Sequence, residues 1–470
     1  MRKYVVYGLG ISGISTAKFF AAKNEEVIAT DDNIEAIEKA KTKLTTENPE
    51  IVQKIKFQKP EEVSYDAETM ISFAPGIPLY FPKPHKILEI CKKTQAKLVC
   101  DIGLFCQNNP EQNFLAITGT NGKSTTTALT GFIFKELNLS SEIAGNIGIP
   151  CFDLPVLPKN SAYIFEASSY QLDLLDQTRF KSVAFLNITP DHIDRHGSLA
   201  GYIEAKKRIF INQVAGDYAA INVDNINSKA VFDELKNNKN YSAKLIPIST
   251  KSVNEGGVSI IGGVLYNKID GADSQFNLGQ IFLKGEHNAE NISMAFALTY
   301  TYLKQQNLLE KISPDKIIEA IRKFKGLRHR MQFLGQISGV SFINDSKATN
   351  AESTEHALKA YDNILWIVGG KPKDGGISSL QPYFEKITKA YLIGEAQEDF
   401  AKILAENQVN FEKCGNLENA IKKSFFDAKN NSLKENNILL SPACASFDQW
   451  KNFEERGDFF CKTFNELQKS

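Results

Sequence analysis

The stretch FLAITGTNGKST, from Phe114 to Thr125, decides the fold of this sequence. Its apolar half predicts a strand that ends at Thr118, and its second half predicts a glycine-bearing turn that leads into a helix. Successive backbone amides in such a turn form an anion nest, Lys123 places a cation on the terminal phosphates of a nucleotide, and the hydroxyl after it can bind magnesium. The turn is a shorter variant of the strict phosphate loop, which needs glycine where Ile117 stands. It therefore predicts an ATP site at the end of a strand.

Two other stretches also start with a strand and continue into a turn of polar or small residues. They begin at residues 3–7 and 341–343, and each is followed by alternating strands and helices, which is the pattern of parallel sheets with crossover helices. Since 470 residues are too many for one core, we predict an α/β fold of three domains. These are a Rossmann-like N-terminal domain (1–100), a central phosphate-loop ATPase-like α/β domain (101–326) and a Rossmann-like C-terminal domain (327–470).

Bulk composition limits the classes of protein to which this chain can belong. Apolar residues make up 42% and charged residues 23%, as in a soluble globular protein. Lys plus Arg and Asp plus Glu number 55 each, so the zero net charge argues against a general nucleic-acid binder. No apolar run is long enough for a signal peptide or a membrane span, and the seven cysteines show no metal-binding spacing. We expect a cytoplasmic protein with no nucleic-acid partner and no membrane insertion.

The N-terminal turn Gly8-x-Gly10-x-x-Gly13 follows a strand and opens a helix. Asp31 lies at the end of the next predicted strand, where the dinucleotide fingerprint has an acid for a ribose hydroxyl. Two interpretations stay open: a nucleotide-binding turn, or a tight strand-to-helix turn that needs glycine for its backbone alone.

Two candidate metal ligands follow neighbouring strands of the central domain. Glu166 comes directly after the strand 163–165, and His192 lies in the loop TPDHIDR after the strand 183–188. Ligands gather at the carboxyl ends of parallel strands, and magnesium prefers oxygen donors, so Glu166 with a loop hydroxyl suits it. His192 either binds metal, holds a water or is a hydrogen-bonded loop histidine.

Lys206 lies on the apolar stripe of a helix predicted over residues 201–213, with Tyr202, Ile203, Ile209 and Phe210 on the same face. Desolvation there favours the neutral amine, which can react with carbon dioxide to give a carbamate, an oxygen ligand for metal. From the residues alone the simpler interpretation is that the aliphatic stem covers apolar surface and the ammonium reaches solvent.

The C-terminal domain carries polar loops after its predicted strands. The loop Asn344–Asn350 (NDSKATN) offers an acid, a cation, a hydroxyl and a predicted helix start to a nucleotide phosphate or ribose, and Arg330 could clamp the γ-phosphate. After the next strand, either Lys371 or Lys373 could hold a carboxylate. After a third strand, Ser446 is predicted to cap a helix whose N-terminus can receive a second carboxylate.

Taken in order along almost the whole chain, these motifs resemble the Mur ligase family. The residues that carry the resemblance are Gly119–Thr125, Glu166, Asp191–Arg195, His287-Asn288 with Asn291, His329-Arg330 and Asn344–Asn350. Within the family, the long stretch Ser441–Gly457 (SPACASFDQWKNFEERG) is similar to the members that add D-glutamate.

The resemblance implies a reaction and its partners. The reaction is ATP-dependent ligation of D-glutamate to UDP-N-acetylmuramoyl-L-alanine through an acyl phosphate, in cytoplasmic peptidoglycan precursor synthesis. The first domain would bind the UDP-substrate, the central domain ATP and the C-terminal domain the amino acid, in a chain that we expect to be a monomer. The resemblance also implies two magnesium ions and a carbamate on Lys206, against the simpler interpretation of that lysine.

The resemblance further implies roles for individual residues. The residues implied in ATP binding are Gly119, Thr120, Asn121, Gly122, Lys123, Ser124, Thr125, Asn288, Asn291, Arg330, Asp345 and Lys347. Those implied in UDP-substrate binding are Ile11, Ser12, Asp31, Asn146, Ser168 and His192. Those implied in D-glutamate binding are His329, Thr349, Lys373, Ser446 and Phe453. The implied metal ligands are Ser124, Glu166, His192 and Lys206, and the implied catalytic residues are Lys123, Glu166, His192, Lys206 and Lys347.

Three other functions are compatible with parts of the sequence. Another amide ligase of the same family, with a different amino acid, is disfavoured by the stretch Ser441–Gly457. A nicotinamide-dependent oxidoreductase built on the first glycine turn would leave the phosphate loop and Glu166 without a role. A non-catalytic nucleotide-binding regulator predicts the loss of a metal or phosphate group, whereas Lys123, Glu166, His192 and Lys206 are all present.

Overall fold

The computed structural model describes residues 2–175, 177–372, 376–431 and 435–469, apart from the side chain of Glu352. The chain separates into two compact units, which we call unit 1 (residues 1–324) and unit 2 (residues 325–470). Unit 1 contains two β-sheets and unit 2 contains one.

The first sheet of unit 1 is parallel throughout. Its strands are β1 (Lys3–Tyr7), β2 (Glu26–Thr30), β3 (Ile55–Phe57), β4 (Thr69–Phe73) and β5 (Lys97–Val99). Its helices are α1 (Ile11–Ala22), α2 (Ile34–Glu47), α3 (Pro49–Val52), α4 (Lys86–Thr94) and α5 (Asp101–Asn108). The strand order is β3-β2-β1-β4-β5. The turn after β1 therefore lies where the strand order reverses, which is where open α/β sheets bind ligands.

The second sheet of unit 1 carries the phosphate loop. Its strands are β6 (Asn113–Thr118), β7 (Ser141–Gly145), β8 (Ala162–Glu166), β9 (Ser182–Phe185), β10 (Tyr218–Asn222), β11 (Lys244–Ser249), β12 (Val258–Ile261), β13 (Val264–Asn267) and β14 (Ser274–Asn277). Its helices are α6 (Lys123–Glu136), α7 (Ser169–Leu172), α8 (Ile193–His196), α9 (Leu199–Lys207), α10 (Ile226–Asn237), α11 (Glu286–Gln305) and α12 (Pro314–Lys323). The order is β14-β13-β12-β11-β10-β9-β6-β8-β7, and only the pairs β12–β13 and β13–β14 within it are antiparallel.

The central strand β6 explains why the phosphate loop is rigidly placed. Every residue of β6 is buried, because a parallel sheet has helices on both faces and these cover both sides of its inner strands. The long helix α11 packs on α6 and on β9 to β12. The carboxyl ends of β6, β8 and β9 lie side by side, so the loops that follow them share one edge of the sheet.

Unit 2 is built on one sheet. Its strands are β15 (Gln332–Ile337), β16 (Val340–Asn344), β17 (Ile364–Gly369), β18 (Ile387–Ile393), β19 (Phe411–Gly415) and β20 (Asn436–Leu440). Its helices are α13 (Ala351–Ala360), α14 (Gln397–Glu406), α15 (Leu417–Asn430) and α16 (Phe453–Lys469). The order is β15-β16-β20-β17-β18-β19, with only the hairpin pair β15–β16 antiparallel. The loops after β16, β20 and β17 therefore also meet at one edge.

The predicted α/β fold with parallel sheets is confirmed. The two boundaries between the three predicted domains stay a prediction. No helix in the described part of the chain is both long enough and apolar enough to cross a membrane.

Two predicted helix positions are wrong. The helix expected over residues 201–213 ends as α9 at Lys207 and continues only as a 3-10 turn over Arg208–Phe210. Ser446 does not cap a helix: its carbonyl accepts the amides of Gln449 and Trp450, but this single turn does not continue as a helix. The helix α16 begins later, at Phe453.

Candidate active site

The phosphate loop joins the end of β6 to the start of α6. Gly119 and Gly122 have positive φ values of 152° and 86°, and a Cβ on Gly122 would lie 2.3 Å from Asn291 Oδ1. Glycine is therefore required at Gly122 both for its backbone and for space. Lys123 Nζ donates to the carbonyls of Gly119 (2.9 Å) and Thr120 (2.6 Å). These bonds place the ammonium group at the mouth of the loop.

The rest of the predicted ATP set of unit 1 surrounds this loop. Ser124 is buried and Thr125 half-buried at the start of α6. On α11, Asn291 accepts from Thr126 Oγ1 (3.2 Å) and donates to Asn288 Oδ1 (3.3 Å). The structure therefore brings both asparagines of α11 to the phosphate loop.

Glu166 is the last residue of β8 and is 1% exposed. Its Oε1 accepts from Asn146 Nδ2 at 2.9 Å, and its Oε2 has no hydrogen-bond partner among the described residues. A buried carboxylate oxygen without a partner is costly, and such groups usually meet a donor or a cation. The predicted UDP-substrate residue Asn146 therefore lies directly against the predicted metal ligand.

Lys206 is 1% exposed and does not reach solvent, so the simpler interpretation of this side chain is wrong. Its Nζ donates to Gly119 O (2.8 Å) and Thr118 Oγ1 (3.3 Å). Burial, with a smaller effect from the Lys123 ammonium, lowers the pKa of Lys206 well below its usual range, although Asp191 and Glu166 act in the opposite direction. Both lysines donate to the same carbonyl, so the neutral amine of Lys206 is favoured.

His192 lies just before α8 with a left-handed backbone, φ 51°. Its Nδ1 lies 2.8 Å from Tyr170 Oη, and its Nε2 lies 3.4 Å from Asp191 Oδ2. The Tyr170 ring also receives the Arg195 guanidinium at 4.8 Å. The segment with His192 is thus docked on the helix that follows Glu166.

Ser168, predicted to contact the UDP-substrate, is the N-cap of α7. Its hydroxyl accepts from the backbone N–H of Gln171 at 3.3 Å, and the Gln171 side chain accepts from the Ser168 amide at 3.1 Å. This capping box fixes the turn directly after Glu166.

The glycine turn after β1 is held by Asp31. Its Oδ2 accepts from Leu9 N (2.8 Å) and its Oδ1 from Asn33 N (2.9 Å). One carboxylate oxygen therefore binds the glycine turn, and the other binds the backbone just after β2. Ile11 is 73% exposed and Ser12 half-buried at the start of α1, so their surfaces are open to a ligand.

The next residue, Asp32, was missed by the sequence analysis. It accepts from Tyr7 Oη (2.7 Å), pairs with His85 Nε2 (2.9 Å) and meets Lys86 Nζ at 3.2 Å. The fingerprint points to the acid at the strand end and gives no signal for the following residue.

In unit 2, Asp345 lies after β16 and is 4% exposed. Its carboxylate accepts from Ser441 Oγ (2.7 Å) and Met331 N (3.0 Å). Burial raises the pKa of Asp345 to about 7, against the lowering by these hydrogen bonds and by Arg330. Arg330 itself is exposed.

Lys347 and Phe453 lie together in unit 2. The Lys347 Nζ is 5.7 Å from the centre of the Phe453 ring, and Ser346 Oγ donates to Phe453 O at 2.8 Å. Thr349 N donates to Lys347 O at 2.9 Å. The loop after β16 thus brings the predicted nucleotide residue Lys347 to two predicted D-glutamate residues.

His329 is 3% exposed. Its Nδ1 lies 3.0 Å from Asn344 Nδ2 and its Nε2 lies 3.2 Å from Asp458 Oδ1. Burial lowers the pKa of this imidazole. Both ring nitrogens therefore have protein partners, and contact of His329 with D-glutamate stays a prediction.

The remaining predicted D-glutamate residues lie on the loops after β17 and β20. Ser446 is 2% exposed, and Lys371 bridges to Ala445 of the same loop through its backbone. Lys373 lies outside the described residues, so the choice between Lys371 and Lys373 stays open.

A buried arginine joins two of these loops and was also missed. Arg456 is 1% exposed. It donates to Ser346 Oγ and Ser346 O at 2.9 Å each, and to Cys444 O at 3.2 Å. The sequence offers no signal for it, because a charged residue in the first turns of an amphipathic helix is typical of a solvated face.

The chain is similar to known proteins over almost its whole length. The model of the Mur ligase middle domain matches residues 117–299, and that of the Mur ligase glutamate ligase domain matches residues 329–444. The chain is 40% identical to the UDP-N-acetylmuramoylalanine–D-glutamate ligase of Rickettsia felis over 98% of this chain and 96% of that one. It is 40% identical to the ligase of the same name of Rickettsia bellii over 98% and 97%. The crystal structure of UDP-N-acetylmuramate-alanine ligase from Thermotoga maritima has the same fold, with a TM-score of 0.54, 15% identity and 99% coverage of both chains.

Proposed function

The chain belongs to the Mur ligase family, and we propose from this premise that it joins D-glutamate to UDP-N-acetylmuramoyl-L-alanine with hydrolysis of ATP. The observation that carries the proposal is the 40% identity, over 98% of the chain, to relatives named for this reaction. The product would serve peptidoglycan precursor synthesis. We assign residues 1–100 to the UDP-substrate, 101–326 to ATP and 327–470 to the amino acid, in a monomer.

The phosphate loop supports the first step. The alanine carboxylate attacks the γ-phosphorus of ATP, the bond from that phosphorus to the β–γ bridging oxygen breaks, and ADP leaves with that oxygen. Lys123, already at the mouth of the loop, would neutralise charge that develops on the transferred phosphoryl group. We propose nucleotide-binding roles for Asn288 and Asn291 in unit 1. For unit 2 taken by itself, we propose such roles for Arg330, Asp345 and Lys347.

The free oxygen of Glu166 supports a magnesium site. Oxygen ligands suit magnesium, which usually takes one or two carboxylates and completes its shell with water and substrate phosphates. In the described part of the chain no three His, Cys, Asp or Glu side chains form a metal cage, so Glu166 would act with the Ser124 hydroxyl, His192 and a modified Lys206. Bound magnesium would supply positive charge to the phosphate oxygens during transfer.

The environment of Lys206 supports its modification. A neutral amine attacks carbon dioxide, forms a C–N bond and loses one proton, which leaves an anionic carbamate. Burial lowers the pKa of Lys206 and so favours the neutral amine, and the carbamate would add two oxygen donors beside Glu166. Its charge would also compensate that of the neighbouring Lys123.

The second step forms the amide bond. The D-glutamate amine attacks the acyl carbon of the acyl phosphate, phosphate leaves, and the nitrogen loses a proton. We propose that His329, Thr349, Ser446, Phe453 and the undescribed Lys373 position D-glutamate. Ile11, Ser12, Asp31, Asn146, Ser168 and His192 would hold the UDP-substrate.

The deciding experiment measures phosphate release from ATP in the presence of magnesium and UDP-N-acetylmuramoyl-L-alanine. D-glutamate, L-glutamate, L-alanine or no amino acid is added, and the product is weighed by mass spectrometry. We expect release only with D-glutamate, with a product heavier by one glutamyl unit. Turnover with a different amino acid would make the chain another amide ligase of the family, and no turnover with any amino acid would overturn the proposal.

A further inference from the structure

Asn187, two residues beyond the end of β9, extends the pairing of β6 and β9 with its side chain. The strands pair up to Thr118 and Phe185, and Thr120 N donates to Asn187 O at 2.7 Å. The side-chain amide of Asn187 then makes the two hydrogen bonds that a further backbone peptide of β9 would make. Asn121 N donates to Asn187 Oδ1 (3.0 Å), and Asn187 Nδ2 donates to Asn121 O (3.3 Å). One residue thus binds three backbone groups of the phosphate loop, namely the N–H of Thr120 and the N–H and C=O of Asn121.

This pairing sets the direction of the peptide that holds Lys123. A trans peptide is planar, and its N–H and C=O point in opposite directions. Since the N–H of Asn121 points at Asn187, the C=O of Thr120 points away from it. That carbonyl accepts from Lys123 Nζ at 2.6 Å. The orientation of the Asn187 amide is therefore transmitted to the ammonium group of the loop.

Glu290, on α11, fixes which way the Asn187 amide faces. An amide can rotate by half a turn and exchange its donor and acceptor. The carboxylate of Glu290 can only accept, and Asn187 Nδ2 lies 3.2 Å and 3.3 Å from its two oxygens. The NH2 group must then face Glu290 and Asn121 O, which leaves Oδ1 for Asn121 N.

We propose that Asn187 and Glu290 are a positioning pair for the phosphate loop, in which Glu290 acts through Asn187 to aim the loop at the terminal phosphates of the nucleotide. This role rests on the proposed function only in taking ATP as the nucleotide. Neither residue needs to touch the substrate.

The test is a double-mutant cycle on nucleotide affinity. Calorimetry with a non-hydrolysable ATP analogue is done on the wild type, Asn187→Ala, Glu290→Ala and the double variant, with magnesium present. We expect the Kd to rise about tenfold for Asn187→Ala and about fourfold for Glu290→Ala, and the double variant to match Asn187→Ala within about twofold. Glu290→Gln keeps an acceptor and should recover most of the affinity.

The matched control is Glu286→Ala, one turn earlier on the same helix. Glu286 is exposed and binds Thr250 Oγ1, so its removal should leave the Kd unchanged. Independent effects that multiply in the double variant, or an unchanged Kd for Asn187→Ala, would overturn the pairing. If Asn187→Ala does not fold, Asn187→Asp replaces it, because this variant keeps the shape, loses the donor and sets a second carboxylate against that of Glu290, so it should raise the Kd at least as much. A wild type that binds no nucleotide would refute the proposed function instead.

Discussion

Lys206 in unit 1 and Arg456 in unit 2 are equally buried, and burial affects them differently. Each exposes 1% of its surface. Burial lowers the pKa of Lys206 well below its usual range, whereas it lowers the pKa of Arg456 only to about 10. Burial therefore favours the neutral form of the lysine, whereas the arginine keeps its charge at neutral pH.

The difference teaches what each buried cation is suited to do. Lys206 donates to two acceptors, Thr118 Oγ1 and Gly119 O, and the ammonium group of Lys123 donates to the same Gly119 carbonyl. Arg456 spreads its charge over Ser346 and the carbonyl of Cys444. A neutral amine is a nucleophile, while a planar guanidinium with fixed donors is a clamp. Burial thus makes one residue reactive and the other structural.

The largest effect is expected when Lys206 is replaced by arginine, which keeps its charge when buried, as Arg456 does. Lys206→Arg stays protonated and cannot form a carbamate, so we expect kcat of the ligation to fall about a thousandfold, or about 4 kcal/mol in the barrier. Phosphate release measures kcat, and ¹³C NMR after addition of labelled bicarbonate measures the carbamate. The control is Lys207→Arg, because Lys207 pairs outside the site with Glu204 and Glu234. More than a tenth of wild-type kcat in Lys206→Arg would show that the buried amine is not needed.

The next prediction removes the buried guanidinium of Arg456, which joins two loops of unit 2. Arg456→Met leaves two buried carbonyls and the Ser346 hydroxyl without their donor, so we expect the free energy of unfolding to fall by about 3 kcal/mol. The two tryptophans of the chain, Trp366 and Trp450, both belong to unit 2, so their fluorescence in denaturant reports this unit alone. An unchanged midpoint would mean that the guanidinium does not stabilise the loops.

The two residues also mark what the sequence could and could not predict. The strand β6 and the glycines of its loop were predictable because their signals are local. The apolar stripe predicted desolvation of Lys206, but whether its amine reaches solvent or is held inside depends on the carbonyl of Gly119, 87 residues away. Arg456 meets Ser346 across 110 residues, and no local pattern encodes such a contact. Ser446 has the residue type of a cap, yet tertiary packing uses it in a turn.

Unit 2 has a buried group that does change its charge, and it is the carboxyl of Asp345. Its folded-state pKa of about 7 lies above the ordinary value of about 3.9. The folded state therefore binds this proton more tightly, and the resulting stability is complete below a pH of about 4 and is lost as the pH rises through about 7.

Asp345→Asn should remove this dependence. The amide can still accept from Met331 N and bind Ser441 without the cost of a buried charge. We expect the variant to be more stable than the wild type at pH 8 by about 2 kcal/mol, with the gain shrinking toward pH 5 and with weaker binding of ATP. Tryptophan fluorescence in denaturant at both pH values measures this. A constant difference between pH 5 and pH 8 would show that Asp345 does not titrate in this range.

The smallest effect concerns the half-exposed side chain of His192. Here a hydrogen bond with Tyr170, rather than burial, decides which ring nitrogen can bind a metal ion. When Nδ1–H donates to Tyr170 Oη, Nε2 carries the lone pair that can bind a metal ion in place of its present neighbour, Asp191 Oδ2 at 3.4 Å. Tyr170→Phe keeps the ring against Arg195 and removes only that partner, so we expect kcat to fall about tenfold and the magnesium concentration at half-maximal rate to rise, with KM for ATP unchanged. Tyr241→Phe loses a hydroxyl that binds Gln213 away from the site and should behave as the wild type. A change in KM for ATP alone would show that Tyr170 acts on ATP binding and not on the metal site. The idea that surrounding residues tune a metal ligand would then hold for Lys206 and not for His192.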